Sequence, residues 1–172
     1  MKTIQVRLDP RSVAAAITEI LDYQKEVEAK SKLLVQRLTE LGASLARVKI
    51  VEMGAYYSGE LLSGVDGYFS PILNAGFVRV TNDHAAFVEF GTGVVGQANP
   101  HINGEYLAKA AWGYATGPKI FTSKEGRVGW IYPTDDGGYR FTEGMESRPF
   151  MYQTALTLQR EFPRMAKEVF GT

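Results

Sequence analysis

The sequence predicts an α+β fold in which a long N-terminal helix and a C-terminal helix pack on a small antiparallel β-sheet. Apolar residues recur with helical spacing near both ends of the chain, and an aromatic-rich hairpin pattern lies between them. The chain of 172 residues is long enough to bury about two thirds of its unfolded surface in one core. We therefore expect a single domain over residues 1–172, with a helix at about 10–42, sheet and loops at about 47–142, and a helix at about 148–170.

The composition excludes several classes of protein. Lys plus Arg equals Asp plus Glu at 19 each, so no net field draws the chain to nucleic acid or to an anionic membrane. The chain has no cysteine, which removes disulfides, thiolate metal sites and cysteine nucleophiles. No apolar run approaches the ~20 residues of a membrane span, so we expect no membrane partner.

The N-terminal segment alternates apolar and polar residues. Ile4, Val6 and Leu8 are separated by polar side chains, which predicts a short strand or an ordered arm. Asp9 followed by Pro10 is typical of a helix start, with a capping carboxylate and a proline in the first turn.

The long helix is predicted by a stripe that steps by four and three residues, and Gly42 is its expected end. Two arrangements are open: the helix is kinked and folds back on the domain, or it projects and packs against a second copy, with Gln24 and Ser31 setting the register. The residues of the expected self-association surface are Val13, Ile17, Ile20, Gln24, Val27, Ser31 and Leu34.

The stretch from Asn82 to Gly96 organises the chain. An apolar run, Ala85 to Phe90, is interrupted by Glu89 and followed by three closely spaced glycines. A carboxylate in such a run requires a partner, because burying it unpaired costs several kcal/mol. Capping residues before the run and Gly91 after it favour a short helix of about two turns over the competing strand.

The segments around this stretch are predicted from residue type and spacing. Gly76 to Thr81 has the composition of a strand. Residues 97–126 show little periodicity and are expected to form a long loop that orders against a partner. Residues 127–132 and 138–142 flank a turn sequence and predict an antiparallel hairpin.

The last helix is expected to begin at Ser147-Arg148-Pro149, with the serine as its cap, and to be kinked or divided at Pro163. Arg148 is held between a cap and a proline. We therefore propose it as the cation that pairs with Glu89, against the alternative of an arginine free in solvent.

The sequence contains partial patterns for three kinds of chemistry. Gly91-Thr-Gly93-Val-Val-Gly96 has the spacing of a dinucleotide-binding loop, but no helix is predicted after the glycines to hold a pyrophosphate. The two histidines, His84 and His101, have no metal-ligand spacing, so neither a metal nor a cofactor is expected. We expect a chain with no catalytic residues. The alternative is a small hydrolase or nuclease whose site is formed by Asp83, His84 and Glu89.

Two motifs together carry a resemblance: A-A-F-V-E-F-G-T-G at Ala85 to Gly93, and G-W-I-Y with F-T-E-G-M-E-S-R-P-F-M-Y-Q-T-A at Gly129 to Ala155. In this order the chain resembles the small head-to-tail joining, or tail-completion, proteins of tailed bacteriophages with long non-contractile tails. The motif residues taken as structural or interface positions are Glu89, Phe90, Gly91, Thr92, Gly93, Arg148, Pro149 and Phe150.

The resemblance implies a non-enzymatic structural protein of the virion neck or tail, made in the cytoplasm of the host bacterium. It implies a ring of six or twelve copies that binds the connector or head-closure protein and tail proteins. No sequence-specific contact with nucleic acid is expected, although the lumen of such a ring could face DNA. The roles in head closure, tail completion and tail termination all remain open.

Overall fold

A computed structural model describes residues 3–55, 59–114, 120–134 and 136–171. Three helices and one sheet form the first half: α1 (Pro10–Glu52), α2 (Glu60–Ser63), β1 (Val65–Ser70), β2 (Ala75–Val80) and α3 (Ala85–Phe90). The second half comprises α4 (Gly93–Ala98), α5 (Gly104–Lys109), β3 (Phe121–Thr122), β4 (Val128–Pro133), β5 (Tyr139–Thr142), β6 (Gly144–Met145) and α6 (Phe150–Phe170). The predicted α+β class is confirmed.

The helix α1 begins as predicted, since the Asp9 carboxylate accepts a hydrogen bond from the Ser12 amide at 2.9 Å. It does not end at Gly42, and its 43 residues make it about 65 Å long. Gly42 has a helical backbone and lies where a Cβ would be only 2.8 Å from Val78 and 3.0 Å from Leu158. The glycine is a close-packing position within the helix, not a stop.

Only the C-terminal half of α1 belongs to the core. Ala43, Ala46 and Ile50 pack with Val88 and with Phe150, which is 1 % exposed. Leu34 packs against Met165 and Val169 of α6, so the two helices run antiparallel. Since α6 ends beside Leu34, the first 24 residues of α1 extend about 35 Å beyond it. The helix is therefore continuous and projects, whereas its packing against a second copy stays a prediction.

The strands form two small antiparallel sheets. β1 pairs with β2 along its full length, and one face of this hairpin lies on α1. The second sheet has the order β3-β4-β5, and β4 and β5 form the predicted hairpin. The remaining strand, β6, lies beside α4.

Several local predictions differ in part from the structure. Of the two alternatives for residues 3–8, the strand is not formed, since no described strand pairs with them, and the segment is an arm that precedes α1. The expected loop at 97–126 contains α5 and β3, while residues 115–119 of that loop lie outside the described part. The helix α6 is not divided at Pro163, and Leu158 before the proline and Met165 after it both pack near α1. The alternative prediction of a kink stays a prediction.

No helix within the described residues is long and apolar enough to cross a membrane.

Candidate functional site

The short helix α3 presents Glu89 to the start of α6. The Asn82 side-chain oxygen accepts a hydrogen bond from the His84 amide at 2.9 Å, which forms a turn before the helix. The N-cap residue is His84 and no side chain caps the first turn, so the predicted capping by Asn82 or Asp83 is wrong. The helix ends at Gly91, with φ of +79°. A Cβ at Gly91 would be 2.7 Å from the Ser147 nitrogen and 2.9 Å from the Met145 oxygen, so only glycine permits this approach.

Glu89 is buried, with 4 % of its surface exposed, and its carboxylate caps α6. Oε2 accepts a hydrogen bond from the Met151 amide at 2.9 Å, and Oε1 accepts one from the Tyr152 amide at 3.0 Å. These amides belong to the first turn of the helix, where backbone donors have no partner within the helix and the helix dipole is positive. The residue at the N-cap position is Pro149, which offers no side-chain acceptor. Glu89 therefore supplies the cap from a distant part of the sequence.

His101 is the side-chain partner of Glu89. It is 3 % exposed, and its Nε2 lies 3.4 Å from Glu89 Oε1. His101 Nδ1 lies 3.1 Å from the Asn103 amide nitrogen and 3.3 Å from the Asn103 carbonyl oxygen. A neutral ring that accepts from this amide carries its proton on Nε2, facing the carboxylate. The imidazole is surrounded by the rings of Phe90, Tyr106 and Tyr152, whose centroids lie 5.3–5.7 Å away.

The electrostatics of the site are dominated by burial. Removal from water raises the pKa of Glu89 above its ordinary value, because burial disfavours the charged carboxylate. The amides of Met151 and Tyr152 act in the opposite direction, and so does His101. Both carboxylate oxygens of Glu89 accept hydrogen bonds from the first turn of α6. Glu89 therefore has a structural role, because it joins α3 to α6.

The backbone around Glu89 is joined to the segment before α6 at several points. The Ser147 hydroxyl donates to the Glu89 carbonyl at 2.5 Å, and the Arg148 amide donates to the Val88 carbonyl at 2.8 Å. Thr92 bridges to Met145, whose amide also donates to the Thr92 hydroxyl at 3.1 Å. The two stretches F-V-E-F-G-T and S-R-P-F-M are thus the two halves of one buried network.

The proposed ion pair between Glu89 and Arg148 is not formed. Arg148 Nη1 donates to the Gly54 carbonyl at 2.6 Å, and its Nε lies 3.7 Å from Glu146. Glu89 requires no cation, because two amides and His101 satisfy its carboxylate. The expected serine cap is also wrong, since Ser147 bonds to the Glu89 carbonyl and not to the first turn of α6.

The remaining motif residues each make a different structural contact. The Phe90 ring contacts the Trp112 ring in a tilted arrangement with the centroids 5.1 Å apart, and the Trp112 indole donates to the Gly91 carbonyl at 3.0 Å. Gly93 bridges to Gly144. Pro149 and Phe150 are buried at the start of α6.

The expected self-association stripe is divided by the fold. Val13, Ile17, Ile20 and Gln24 lie on the projecting part of α1 and are exposed. Val27 and Ser31 are half-buried, and Leu34 is buried against α6. Leu34 is therefore not available to a second copy, and the exposed stripe ends before it.

His101 is the residue that sequence reasoning missed. Its spacing in the sequence argues against a metal ligand and indicates no other role, whereas in the fold it contacts the buried acid. Nothing in the spacing of twelve residues between Glu89 and His101 indicates this contact.

The glycine motif does not form a dinucleotide site. A helix does occur there, contrary to expectation, but α4 begins at Gly93 and contains the third glycine, Gly96. A Cβ at Gly96 would be 2.8 Å from the Gly91 carbonyl carbon, so these glycines allow the chain to pack on itself. Within residues 3–55, 59–114, 120–134 and 136–171, no group of three or more His, Asp or Glu could hold a metal ion.

The alternative catalytic residues lie in different environments. Asp83 and His84 are exposed, and His84 lines an open cleft of about 940 Å³ between α3 and the β4–β5 hairpin. Glu89 is buried on the α6 side of α3 and does not line this cleft.

Comparison with family models, curated proteins and solved structures found no match for this chain.

Proposed function

We propose that the chain is a non-enzymatic structural protein of a tailed bacteriophage, located at the junction between head and tail. In this role copies of the chain form a ring, and the ring binds the connector or head-closure protein on one side and tail proteins on the other. The site of action would be the virion neck, after synthesis in the bacterial cytoplasm.

The observation that carries the proposal is the contact between two motifs. The resemblance to head-to-tail joining proteins rests on F-V-E-F-G-T and S-R-P-F-M taken together, and either one alone would be weak. In the fold they meet at Glu89, which caps the helix that follows S-R-P. The two motifs are about sixty residues apart in the sequence, but they form one hydrogen-bonded network in the fold. This contact supports reading them together as the pattern on which the resemblance rests.

The surface of the chain supports a role in assembly. Its accessible area is 11866 Å², whereas a compact monomer of 19.0 kDa has about 8,400 Å². The difference of about 3,500 Å² exceeds the roughly 1,600 Å² that two standard interface patches need on one subunit. A ring uses two different patches per subunit, and the extra accessible area of this chain is large enough for both.

The projecting part of α1 is the first candidate patch. Ile17 and Ile20 are each 53 % exposed, next to exposed Val13 and Leu21. Such a group of large apolar side chains on one side of an isolated helix favours a protein partner. The expected partner is a neighbouring subunit in the ring.

The proposal is tested by locating the chain in virions. Particle images of phage carrying the tagged chain should place it at the neck, and deletion of its gene should yield heads and tails that do not join. The chain would be assigned another function if it were absent from purified virions, or if particles lacking it were complete and infectious.

A second arm of the test uses single substitutions on α1. Ile17→Lys or Ile20→Lys should leave the melting temperature within about 2 °C, since the side chains are exposed, and should abolish joining. Thr18→Lys, exposed but outside the stripe, is the matched control and should join normally. Normal joining by both isoleucine variants would remove α1 from the interface.

A further inference from the structure

The N-terminal arm, residues 3–8, has the sequence of a strand without a strand partner. Ile4, Val6 and Leu8 alternate with polar residues, and no described strand pairs with the segment. Ile4 is half-buried, whereas Val6 and Leu8 are exposed. Its base is fixed, because the Arg7 amide donates to the Ser12 hydroxyl at 2.7 Å and Asp9 caps α1. The arm is thus a strand-forming segment held at the far end of a rigid helix.

The sheet β3-β4-β5 has an open edge at β5. Its four residues, Tyr-Arg-Phe-Thr, favour or tolerate strand structure, include no proline, and carry one charged side chain, that of Arg140. No other strand of the described residues pairs with β5 on the side away from β4.

One face of this sheet carries several exposed apolar side chains, and the Arg127 guanidinium lies over its Phe141 ring, 4.9 Å from the centroid. Residues paired across strands share a face, and the register pairs Ile131 with Phe141 and Pro133 with Tyr139. Ile131 and Tyr139 are 52 % and 75 % exposed. Phe121 belongs to the same face and contacts Phe141 edge-on, with the ring centroids 5.6 Å apart.

We propose that the arm of one copy adds to β5 of a neighbouring copy as a fourth strand. Backbone hydrogen bonds along the open edge would provide the attraction, as in other cases of strand addition. Ile4, Val6 and Leu8 would extend the apolar face formed by Ile131, Phe141 and Tyr139. The polar residues of the arm would then lie on the face of Arg140 and Thr142. The inference rests on the proposed ring, for which it names the second patch.

The partner must be a second copy, because the arm cannot reach the sheet of its own chain. The arm precedes Pro10, and Ile50 lies 40 residues further along α1, about 60 Å away. The start of β6, two residues after β5, bridges to Gly93 near the core cluster that contains Ile50. A fully extended arm of six residues spans only about 20 Å. Its own β5 is therefore out of range.

The absence of native cysteine allows a direct test with single-cysteine variants of the full chain. Variants Ile4→Cys, Val6→Cys and Leu8→Cys, which cover the three apolar positions of the arm, are each mixed with Phe141→Cys under mild oxidation. Adjacent strands place opposed Cα atoms about 4.5–5.5 Å apart, within the range of a disulfide. Because the two cysteines are on different chains, every mixed disulfide reports a contact between copies.

At least one arm position should form the mixed disulfide with Phe141→Cys ten times faster than with Tyr68→Cys. Tyr68 is exposed on the other sheet and is the matched control. Gln5→Cys, on the opposite side of the arm, should show no such preference. Tyr139→Cys serves as a second partner on the same face, in case Phe141→Cys destabilises the fold.

Equal rates with both sheets at all three arm positions would overturn strand addition. That result would leave the proposed function intact if particle images still placed the chain at the neck. Conversely, a preferred disulfide from a chain that is absent from virions would retain strand addition and reject the phage role.

Discussion

Replacing Glu89 with Ala should be one of the most damaging single substitutions in this chain. It removes the acceptor of two amides at the start of α6, those of Met151 and Tyr152, and leaves the Nε2 proton of His101 facing a cavity. A buried donor without a partner costs about 1–3 kcal/mol. The removed charge was itself buried at a cost, which offsets part of the loss. We expect Glu89→Ala to lower the free energy of unfolding by about 3–4 kcal/mol.

The assay is urea unfolding followed by circular dichroism, with the melting temperature as a second readout. For a chain of this size, 3–4 kcal/mol corresponds to a decrease of about 10 °C. Glu89→Gln keeps the shape and one acceptor oxygen, so it should lose about 1–2 kcal/mol. The matched control is Glu105→Ala, which removes an exposed ion pair with Lys109 and should change stability by less than about 0.5 kcal/mol. A folded Glu89→Ala protein within 1 kcal/mol of the wild type would refute the claim that this carboxylate holds α6.

Two further predictions concern the same region. Because burial raises the pKa of Glu89, the folded state binds a proton more tightly than the unfolded state. The stability advantage of wild type over Glu89→Gln should therefore shrink as the pH rises from the ordinary glutamate pKa of about 4.3 through the raised value. An advantage that grows with pH would contradict a raised pKa for Glu89. Gly93 has φ of +63°, and a Cβ there would be 2.4 Å from the Glu143 oxygen, so Gly93→Ala should cost more than about 2 kcal/mol by thermal unfolding. Gly104→Ala, where a Cβ meets nothing within 4 Å, should be neutral or slightly stabilising, and equal effects of the two would exclude the close contact at Gly93.

The elements that could be predicted from sequence are those whose cause is local. The start of α1 follows from Asp9 and Pro10, and the β4–β5 hairpin follows from its turn and aromatic residues. Glu89 was correctly expected to require a partner, because a carboxylate in an apolar run is costly whatever surrounds it. These inferences need only the nearest neighbours in the chain.

The predictions that are wrong concern residues whose structure depends on contacts with residues far away in the sequence. Gly42 was predicted to end α1, but the packing of Val78 and Leu158 against it uses its small size inside the helix. Arg148 was chosen for Glu89 by charge, whereas the actual partners are mostly backbone amides, which residue type does not reveal. The alternation of Ile4, Val6 and Leu8 indicates a tendency to form a strand, and that tendency is realised only where another strand is within reach.

The capping of α6 by Glu89 has a consequence for how the chain acquires its shape. The acceptor precedes the two amides by 62 and 63 positions, and α6 occupies the final 21 residues before Gly171. Since α6 follows α1 along the chain, it is synthesised later, and the surface of α1 around Leu34 stays uncovered until α6 has been made. Fragments that stop before α6 would therefore expose that surface to chaperones and proteases.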